Sequence, residues 1–153
     1  MLLRTQTIRI KRANGKENKE VIMKEVYDFL KKCDTYYLAT VDGDQARVRP
    51  FGTVDIFDGA LTIQTGKVKD VSRQIHSNPK VEICAFDGST WLRLAAVAVE
   101  DPRDEAAAHM LESYPDLKAM YAPGDGNVEV FKLTKAKATF CSFTEGNRTV
   151  EWE

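Results

Sequence analysis

The sequence is poor in residues that stabilise small proteins through disulfides or metal ions. Its three cysteines, Cys33, Cys84 and Cys141, lie far apart and form no C-x-x-C pair. An odd number of widely spaced thiols argues against a disulfide framework and against a thiolate metal site. The two histidines, His76 and His109, have no partner at a spacing typical of metal ligands. The sequence therefore predicts no metal site.

The chain also has no excess of charge of one sign and no long apolar run. Its net charge is -1 at pH 7, so no overall field favours nucleic acid or a membrane surface. No apolar stretch reaches the length of a membrane span, and the apolar part of the first twelve residues is too short for a signal peptide. Together with the unpaired cysteines, these absences predict a cytoplasmic protein with no nucleic-acid or membrane partner.

Hydrophobic periodicity predicts a mixture of helices and strands. A chain of 153 residues with 43% apolar and 29% charged residues is typical of one globular domain. Apolar residues at helical spacing predict helices at 19–33, 67–79 and 102–114, and a short one at 115–121. The predicted buried sides of the first two helices include Val21 and Val68. Strand patterns cover 35–43, 45–57, 60–66, 80–86, 90–101 and 128–143.

Most gaps between the predicted strands are short enough for hairpins, so we expect antiparallel pairing. A doubly wound parallel sheet would need a helix after nearly every strand. The expected fold is therefore α+β, a small barrel with helices that plug or flank it. We expect residues 23–153 to form this domain and residues 1–22 to be an N-terminal extension or arm with at most an edge strand. Residues 144–153 have no clear period.

The segment QARVRPFG, residues 45–52, combines strand periodicity with residues that strands rarely bury. Arg47 and Arg49 point to the same face, about 7 Å apart along the strand. Pro50 has no backbone N–H and indicates an edge or a bulge, while Phe51 adds a flat apolar surface beside the two charges. This face suits a flat anionic ligand. A solvated outer face of arginines is the alternative.

A second cationic segment, TGKVKDV at 65–71, lies where a predicted strand ends and a helix begins. Lys67 and Lys69 straddle the start of that helix, and free backbone N–H groups at a helix N-terminus bind anions. The spacing of a P-loop is missing, and a lysine-rich surface turn is the alternative. Because consecutive strands tend to be neighbours, the arginines and the lysines could converge on one phosphate.

With these segments in place, the sequence resembles the pyridoxamine 5'-phosphate oxidase-like proteins, which are FMN-binding split barrels. The resemblance extends from about Met23 to Phe143 and is closest to short bacterial members described as flavin reductases or nitroimidazole-resistance proteins. It rests on an ordered set of segments: LATVDGDQARVRPFG, LTIQTGKVKDVSRQIHSNPKVEICAF, WLRLAAVAVED, YPDLKAMYAP and VEVFKLTKAKATFCSF.

The resemblance implies a Greek-key antiparallel split β-barrel with flanking helices, which forms a homodimer with FMN at its interface. The implied FMN contacts are Arg47, Val48, Arg49, Pro50 and Phe51 along the strand, and Gln64, Thr65, Lys67 and Lys69 around the ribityl phosphate. Either lysine could take the role of the family's phosphate-binding residue. Trp91 is a candidate for stacking near the isoalloxazine or for lining the substrate cavity, with the core or the dimer interface as the alternative. No catalytic residue is assigned.

The resemblance implies an FMN-binding oxidoreductase that reduces a small electrophilic substrate with electrons from NADH or NADPH, because the flavin would supply the hydride chemistry. The alternatives are a non-catalytic flavin- or haem-binding protein on the same barrel, and an interaction module whose arginine strand docks an acidic partner. Pyridoxamine phosphate oxidase activity is not favoured, since the full oxidases end in a segment that closes over pyridoxal phosphate. Past the last predicted strand, only Arg148 and Trp152 are of matching type.

Overall fold

The computed structural model describes residues 9–12 and 16–153, with side chains from Asn18 onward. Predictions that concern residues 1–8 and 13–15 lie outside the described residues. Three α-helices lie in the described part of the chain: α1 Lys16–Cys33, α2 Asp70–Ser77 and α3 Asp104–Ser113. A 3₁₀ helix, Pro115–Ala119, follows α3. No helix that the structure describes is long and apolar enough to cross a membrane.

Nine strands in the described residues form one sheet. They are β1 Arg9–Arg12, β2 Tyr36–Asp42, β3 Gln45–Phe51, β4 Asp55–Phe57, β5 Ala60–Gly66, β6 Lys80–Phe86, β7 Thr90–Asp101, β8 Val128–Ser142 and β9 Arg148–Trp152. The strand order is β1-β9-β8-β7-β6-β2-β3, while β5 pairs with both β8 and β4. Every pair is antiparallel except β1 with β9. The antiparallel sheet with its helices confirms the predicted α+β class.

Strand β8 joins the two halves of the sheet. Its first half pairs with β5 and the end of β7, and its second half pairs with β9 and the start of β7. The β7–β8 register shifts between Ala95 and Val97, and near this bulge Lys135 has a φ of 47°. A bulge bends and twists a strand. One continuous strand can therefore serve both halves and curve the sheet towards a barrel.

The core lies on the inner face of the sheet, where helices α1 and α2 cover it. The largest fully buried side chains are Tyr36, Phe131, Ile22, Met23, Leu30, Leu38, Leu61, Ile63, Ile75, Ile83, Leu92 and Leu94. Val21 was predicted on the buried side of α1 but is 64% exposed, because Ile22 and Met23 take the inward positions. Val68 is exposed because α2 begins only at Asp70. Helix α1 is continuous across residue 22, where the arm was predicted to end.

The predicted strand 45–57 is divided by an irregular stretch at residues 52–54. Side chains satisfy backbone groups there in place of a ladder. The hydroxyl of Tyr36 donates to the Thr53 carbonyl at 2.6 Å, and the N–H of Val54 donates to the Tyr114 hydroxyl at 3.0 Å. The hydroxyls of buried Tyr36 and half-buried Tyr114 thus bind the backbone between β3 and β4.

Strand β9 was not predicted because residues 144–153 show no clear alternation of apolar and polar residues. Its place depends on pairing with β8, in which Val150 faces Ala138 and Trp152 faces Ala136. The Trp152 indole N–H also donates to the Leu133 carbonyl at 3.3 Å. Tertiary contacts rather than local sequence pattern therefore define this strand.

Candidate cofactor-binding site

Strand β3 is at one edge of the sheet, as Pro50 predicted, and its two faces have different surroundings. Cross-strand partners share a face, so Arg49 and Phe51, which pair with buried Leu38 and Tyr36, point inwards. Arg47 shares that face. Val48 and Pro50 point to the outer face of the sheet and are exposed. The predicted flavin strand therefore presents three of its five residues to one side and two to the other.

The guanidinium of Arg49 is held by neutral acceptors. Its Nη1 donates to the Thr40 hydroxyl at 2.7 Å and to the Leu38 carbonyl at 3.2 Å, and its Nη2 donates to Oε1 of Gln74 at 2.5 Å. Burial lowers the pKa of Arg49 from its usual value, and the nearby charge of Arg47 lowers it further. No carboxylate in the described residues forms an ion pair with Arg49. A half-buried cation with only neutral partners is suited to bind an anion.

Arg47 differs from Arg49 because a carboxylate accompanies it. Its Nε donates to Asp42 at 3.2 Å, and Arg73 of α2 reaches the same carboxylate at 3.3 Å. These two arginines hold the pKa of Asp42 below its usual range, with the Arg47 hydrogen bond as the largest cause. Half of the Arg47 side chain is exposed. Its charge is thus already partly balanced within the chain.

Two polar side chains at the end of β5 are buried without partners in the described structure. Gln64 and Thr65 are 5% and 4% exposed, yet Oε1 of Gln64 and Oγ1 of Thr65 form no hydrogen bond. Such orphaned atoms are rare in native proteins and call for a ligand, a water or an ion. Successive strand residues face opposite sides. Thr65 lies opposite Glu129 on the face that α2 covers, whereas Gln64 lies opposite Val130 beside α3.

The turn between β5 and α2 places both predicted lysines at the surface. The loop that precedes β8 holds this turn, since Asn127 accepts the Lys67 N–H at 2.7 Å and the Val68 N–H at 3.3 Å. At Gly66, a Cβ would lie 3.0 Å from Oδ1 of Asn127, so this close approach favours glycine. The amides of the turn are therefore already engaged, and any free N–H groups for an anion are those in the first turn of α2.

The two lysines differ in their contacts. Lys67 lies 3.6 Å from Oε1 of Glu100, and the two side chains form an ion pair. Lys69 is the residue just before α2, and its side chain has no ion pair or hydrogen bond within residues 18–153. The structure therefore singles out Lys69 as the uncompensated charge beside the helix start.

Trp91 lies on the outer face of the sheet, away from Arg49. It pairs with Phe86 and Cys141 across the neighbouring strands, and its ring is 4.9 Å from the ring of Phe143. Within one chain the structure does not bring Trp91 to the inner face of β3. A second molecule docked on the outer face would be needed to join Trp91 to a site that also includes β3.

Helix α2 is the element that links these groups, and the sequence analysis missed its polar residues. Gln74 accepts from both Arg49 and the Thr40 hydroxyl, and Ser72 donates to Glu129 at 2.5 Å. A signal was present in the sequence, because Gln74 adjoins the apolar stripe of Val71 and Ile75. The structure shows that Gln74 is buried with them. Glu129 likewise lies between Val128 and Val130 in a largely apolar strand, so alternation puts its carboxylate on the opposite strand face from these valines. Polar residues at buried positions are the informative exceptions.

Comparison with known proteins identifies the family. A family model described as pyridoxamine 5'-phosphate oxidase matches residues 22–142. The chain belongs to this family, which confirms both the resemblance and the split-barrel fold predicted from the sequence. No match is found among curated proteins.

Several solved structures are similar. A NimC/NimA family protein from Clostridium acetobutylicum is 40% identical, with a TM-score of 0.85, covering 89% of this chain and 96% of that chain. A haem-binding protein from Mycobacterium smegmatis is 14% identical, with a TM-score of 0.64 over 91% of this chain and 59% of that one. General stress protein 26 from Bacillus anthracis is 16% identical, with a TM-score of 0.60 over 78% and 92%. At these identities the last two show a shared fold.

Proposed function

We propose that the protein binds FMN and acts as an oxidoreductase that passes electrons from a nicotinamide nucleotide to a small electrophilic substrate. The observation that carries the proposal is Arg49, a half-buried guanidinium with three neutral acceptors and no carboxylate partner in the described chain. A half-buried cation without an ion pair is expected to have an anionic ligand. The flavin phosphate is such a ligand, and membership of the family makes FMN the leading candidate.

The phosphate side of the proposed site is the start of α2. Arg49 is close enough to Asp70, the first residue of α2, for that carboxylate to oppose the lowering of its pKa. The Asp70 side chain is 86% exposed and lies 3.8 Å from Arg73, so it can remain outside an anion pocket. Lys69 and the first amides of α2 complete a positive region. Arg49, Lys69 and Thr65 would hold the phosphate.

The ring side of the proposed site is the inner face of β3. Phe51 packs against fully buried Tyr36 with ring centroids 5.9 Å apart, so the ring of Phe51 is held as an apolar surface beside Arg49. The orphaned Oε1 of Gln64 lies on the opposite face of β5 from Thr65, beside α3, so it is not part of this wall within one chain. Bound FMN would supply the hydride chemistry. The role of these residues is to bind and orient it, and to exclude water.

We further propose a homodimer formed through the outer face of the sheet. Tyr37, Val48, Phe86 and Phe143 are 53%, 68%, 60% and 87% exposed. Tyr37 and Val48 lie on the adjoining strands β2 and β3, and Phe86 pairs with Trp91 across β6 and β7. Exposed apolar side chains that share one sheet face are typical of an interaction surface. A two-fold dimer through this face would bring Trp91 of each subunit towards the partner's edge strand.

A haem-binding protein on the same barrel is the second candidate. The solved structure of the Mycobacterium smegmatis haem-binding protein has this fold. The observation that favours it here is that both imidazoles contact a carboxylate through one ring nitrogen, which is how axial ligands are oriented.

The absorbance spectrum of the protein purified with added FMN tests the proposal and separates it from haem binding. We expect a flavin spectrum that NADH or NADPH bleaches in the absence of oxygen, and that a small electrophile such as a nitroimidazole restores. Bound flavin that no nicotinamide bleaches would contradict the enzymatic role. A Soret band after haem addition, with no flavin retained, would favour the second candidate.

A further inference from the structure

Three potential metal ligands from three separate elements lie close together at the last turn of helix α2. They are His76 in the last turn of α2, Glu100 near the end of β7 and Glu129 at the start of β8. One ligand atom from each lies within 4.8 Å of the others. Sequence spacing gave no hint of this cluster, because the three residues are 24 and 29 positions apart and only the fold brings them together.

Glu129 is the anchor of the cluster. Its side chain is fully buried, with one carboxylate oxygen 2.5 Å from Nε2 of His76 and the other accepting the Ser72 hydroxyl at 2.5 Å. A buried carboxylate requires cationic or hydrogen-bonding partners. Ser72 fixes its orientation, which is how residues behind a metal ligand commonly position it. The orphaned Thr65 hydroxyl is on the same face, directly opposite Glu129 in the β5–β8 ladder, so Thr65 borders both the FMN site and this cluster.

We propose that His76, Glu100 and Glu129 form a binding site for a divalent transition-metal ion of the Zn²⁺ class. One imidazole and two carboxylates are ligands that Zn²⁺, Mn²⁺ and Fe²⁺ accept. Three protein ligands leave at least one coordination position for water or for a small anion. The site is separate from the flavin contacts of Arg49 and Lys69.

Small movements would give the ligand atoms metal-binding distances. Metal–ligand bonds of about 2.0–2.2 Å in a tetrahedral site set neighbouring ligand atoms roughly 3.3 Å apart. Nε2 of His76 is now 2.5 Å from Glu129 and 3.9 Å from Oε2 of Glu100. The first distance must open and the second must close by less than about 1 Å each. The carboxylate oxygens of Glu100 and Glu129, which lie within 4.8 Å of each other, must approach by at most about 1.5 Å. Rotation of the partly exposed His76 and Glu100 side chains can supply these movements.

Solvent can reach the cluster from the side of His76 and Glu100. Their side chains are 49% and 29% exposed, whereas that of Glu129 is inaccessible. Glu100 also lines a cavity of about 190 Å³ whose wall includes Lys67. Lys67 is 3.6 Å from the other oxygen of Glu100, so a bound cation would replace it as the partner of this carboxylate. Entry of an ion therefore requires no opening of the core.

The chain contains a matched comparison for this site. Nδ1 of His109 lies 2.5 Å from Oδ2 of Asp55, the same distance as between His76 and Glu129, and the two imidazoles are 48% and 49% exposed. No third metal-ligating side chain joins His109 and Asp55 within the described residues. An imidazole–carboxylate contact alone should not bind a metal ion tightly.

Calorimetric titration of Zn²⁺, and of Co²⁺ followed by its visible absorption, into untagged and chelator-treated protein tests the proposal. We expect one ion per chain, with His76→Asn and Glu100→Gln each weakening binding at least tenfold. His109→Asn should leave the affinity unchanged. His76 and Glu100 are partly exposed, so both variants should fold, and their melting temperatures verify this.

Three outcomes would overturn the site. These are no saturable binding of either ion by the wild-type protein, binding that His76→Asn and Glu100→Gln leave intact, or equal weakening by His109→Asn. Flavin content measured on the same samples keeps the two proposals apart, since none of the three proposed metal ligands is among the proposed phosphate contacts Arg49, Lys69 and Thr65.

Discussion

Arg49 and Gln74 connect the edge of the sheet to helix α2. Nη2 of Arg49 lies 2.5 Å from Oε1 of Gln74, and the same oxygen accepts the Thr40 hydroxyl at 2.6 Å. One amide thus fixes a guanidinium and a buried hydroxyl at once. The arrangement holds a positive charge on the inner face of β3 beside the helix start, and the predictions on ligand binding follow from it.

Replacing Arg49 by Ala should weaken FMN binding about 10- to 100-fold, because a charge-assisted hydrogen bond contributes roughly 1.5–3 kcal/mol. Arg47→Ala is the matched control on the same strand face. We expect it to change the affinity by no more than about threefold, since Asp42 already balances Arg47. Quenching of flavin fluorescence measures both affinities. Equal losses in the two variants would show that Arg49 has no special role.

Lys69 should account for much of the preference for FMN over riboflavin. Two or three charged contacts to the phosphate predict a preference on the order of a hundredfold. Lys69→Ala should reduce this ratio about tenfold and leave riboflavin binding unchanged. Lys67→Ala should have a smaller effect, because Lys67 is paired with Glu100. If Lys67→Ala abolishes the preference and Lys69→Ala does not, the assignment of the two lysines is reversed.

Thr65→Val should stabilise the ligand-free protein and weaken the FMN complex. The variant keeps the shape of the side chain but removes a buried hydroxyl without a partner, whose desolvation costs about 1–3 kcal/mol. Thr62→Val on the same strand is the control, because its buried hydroxyl donates to the Asp55 carbonyl at 3.3 Å. That variant should lose stability. Urea denaturation distinguishes the two, and a destabilised Thr65→Val protein would mean that the hydroxyl has a partner.

Val48→Asp should convert the proposed dimer to a monomer. Val48 is 68% exposed on the outer face of β3, so the charge should disturb association more than folding. Val21→Asp, at a valine of 64% exposure on α1, is the control and should remain dimeric. Light scattering at micromolar concentration gives the masses. A wild-type monomer would remove both the dimer and a shared site.

The ion pair between Asp101 and Arg103 should stabilise the fold only above acidic pH. The hydrogen bond from Arg103 lowers the pKa of Asp101, whose side chain is 2% exposed. The stabilisation is therefore complete above the unfolded-state pKa of about 3.9 and decreases as pH falls below it. Asp101→Asn should be less stable than wild type at pH 7, and the difference should shrink towards pH 2.

Asp44→Asn is the control for this pH dependence, since Asp44 is an exposed turn residue. Its stability difference from wild type should stay small at every pH. A difference for Asp101→Asn that is constant from pH 7 to pH 2 would contradict the role of this carboxylate. Denaturation at several pH values measures both variants.

The sequence by itself determined the class of fold and the two cationic segments. Alternation of apolar residues located the strands at 80–86 and 90–101, because a half-buried strand must repeat with period two. Proline at position 50 placed its strand at an edge, since proline has no backbone N–H to donate to a neighbouring strand. Local rules of this kind depend only on nearby residues and can be read from one chain.

Only the tertiary structure decided which of these residues meet. It separated Arg49, which has neutral partners, from Arg47, which has Asp42, although both occupy equivalent positions in the strand pattern. It assembled His76, Glu100 and Glu129 from elements distant in sequence. It also formed β9, which has no period of its own. Hydrogen bonds, ion pairs and burial depend on long-range packing, and no local pattern encodes them.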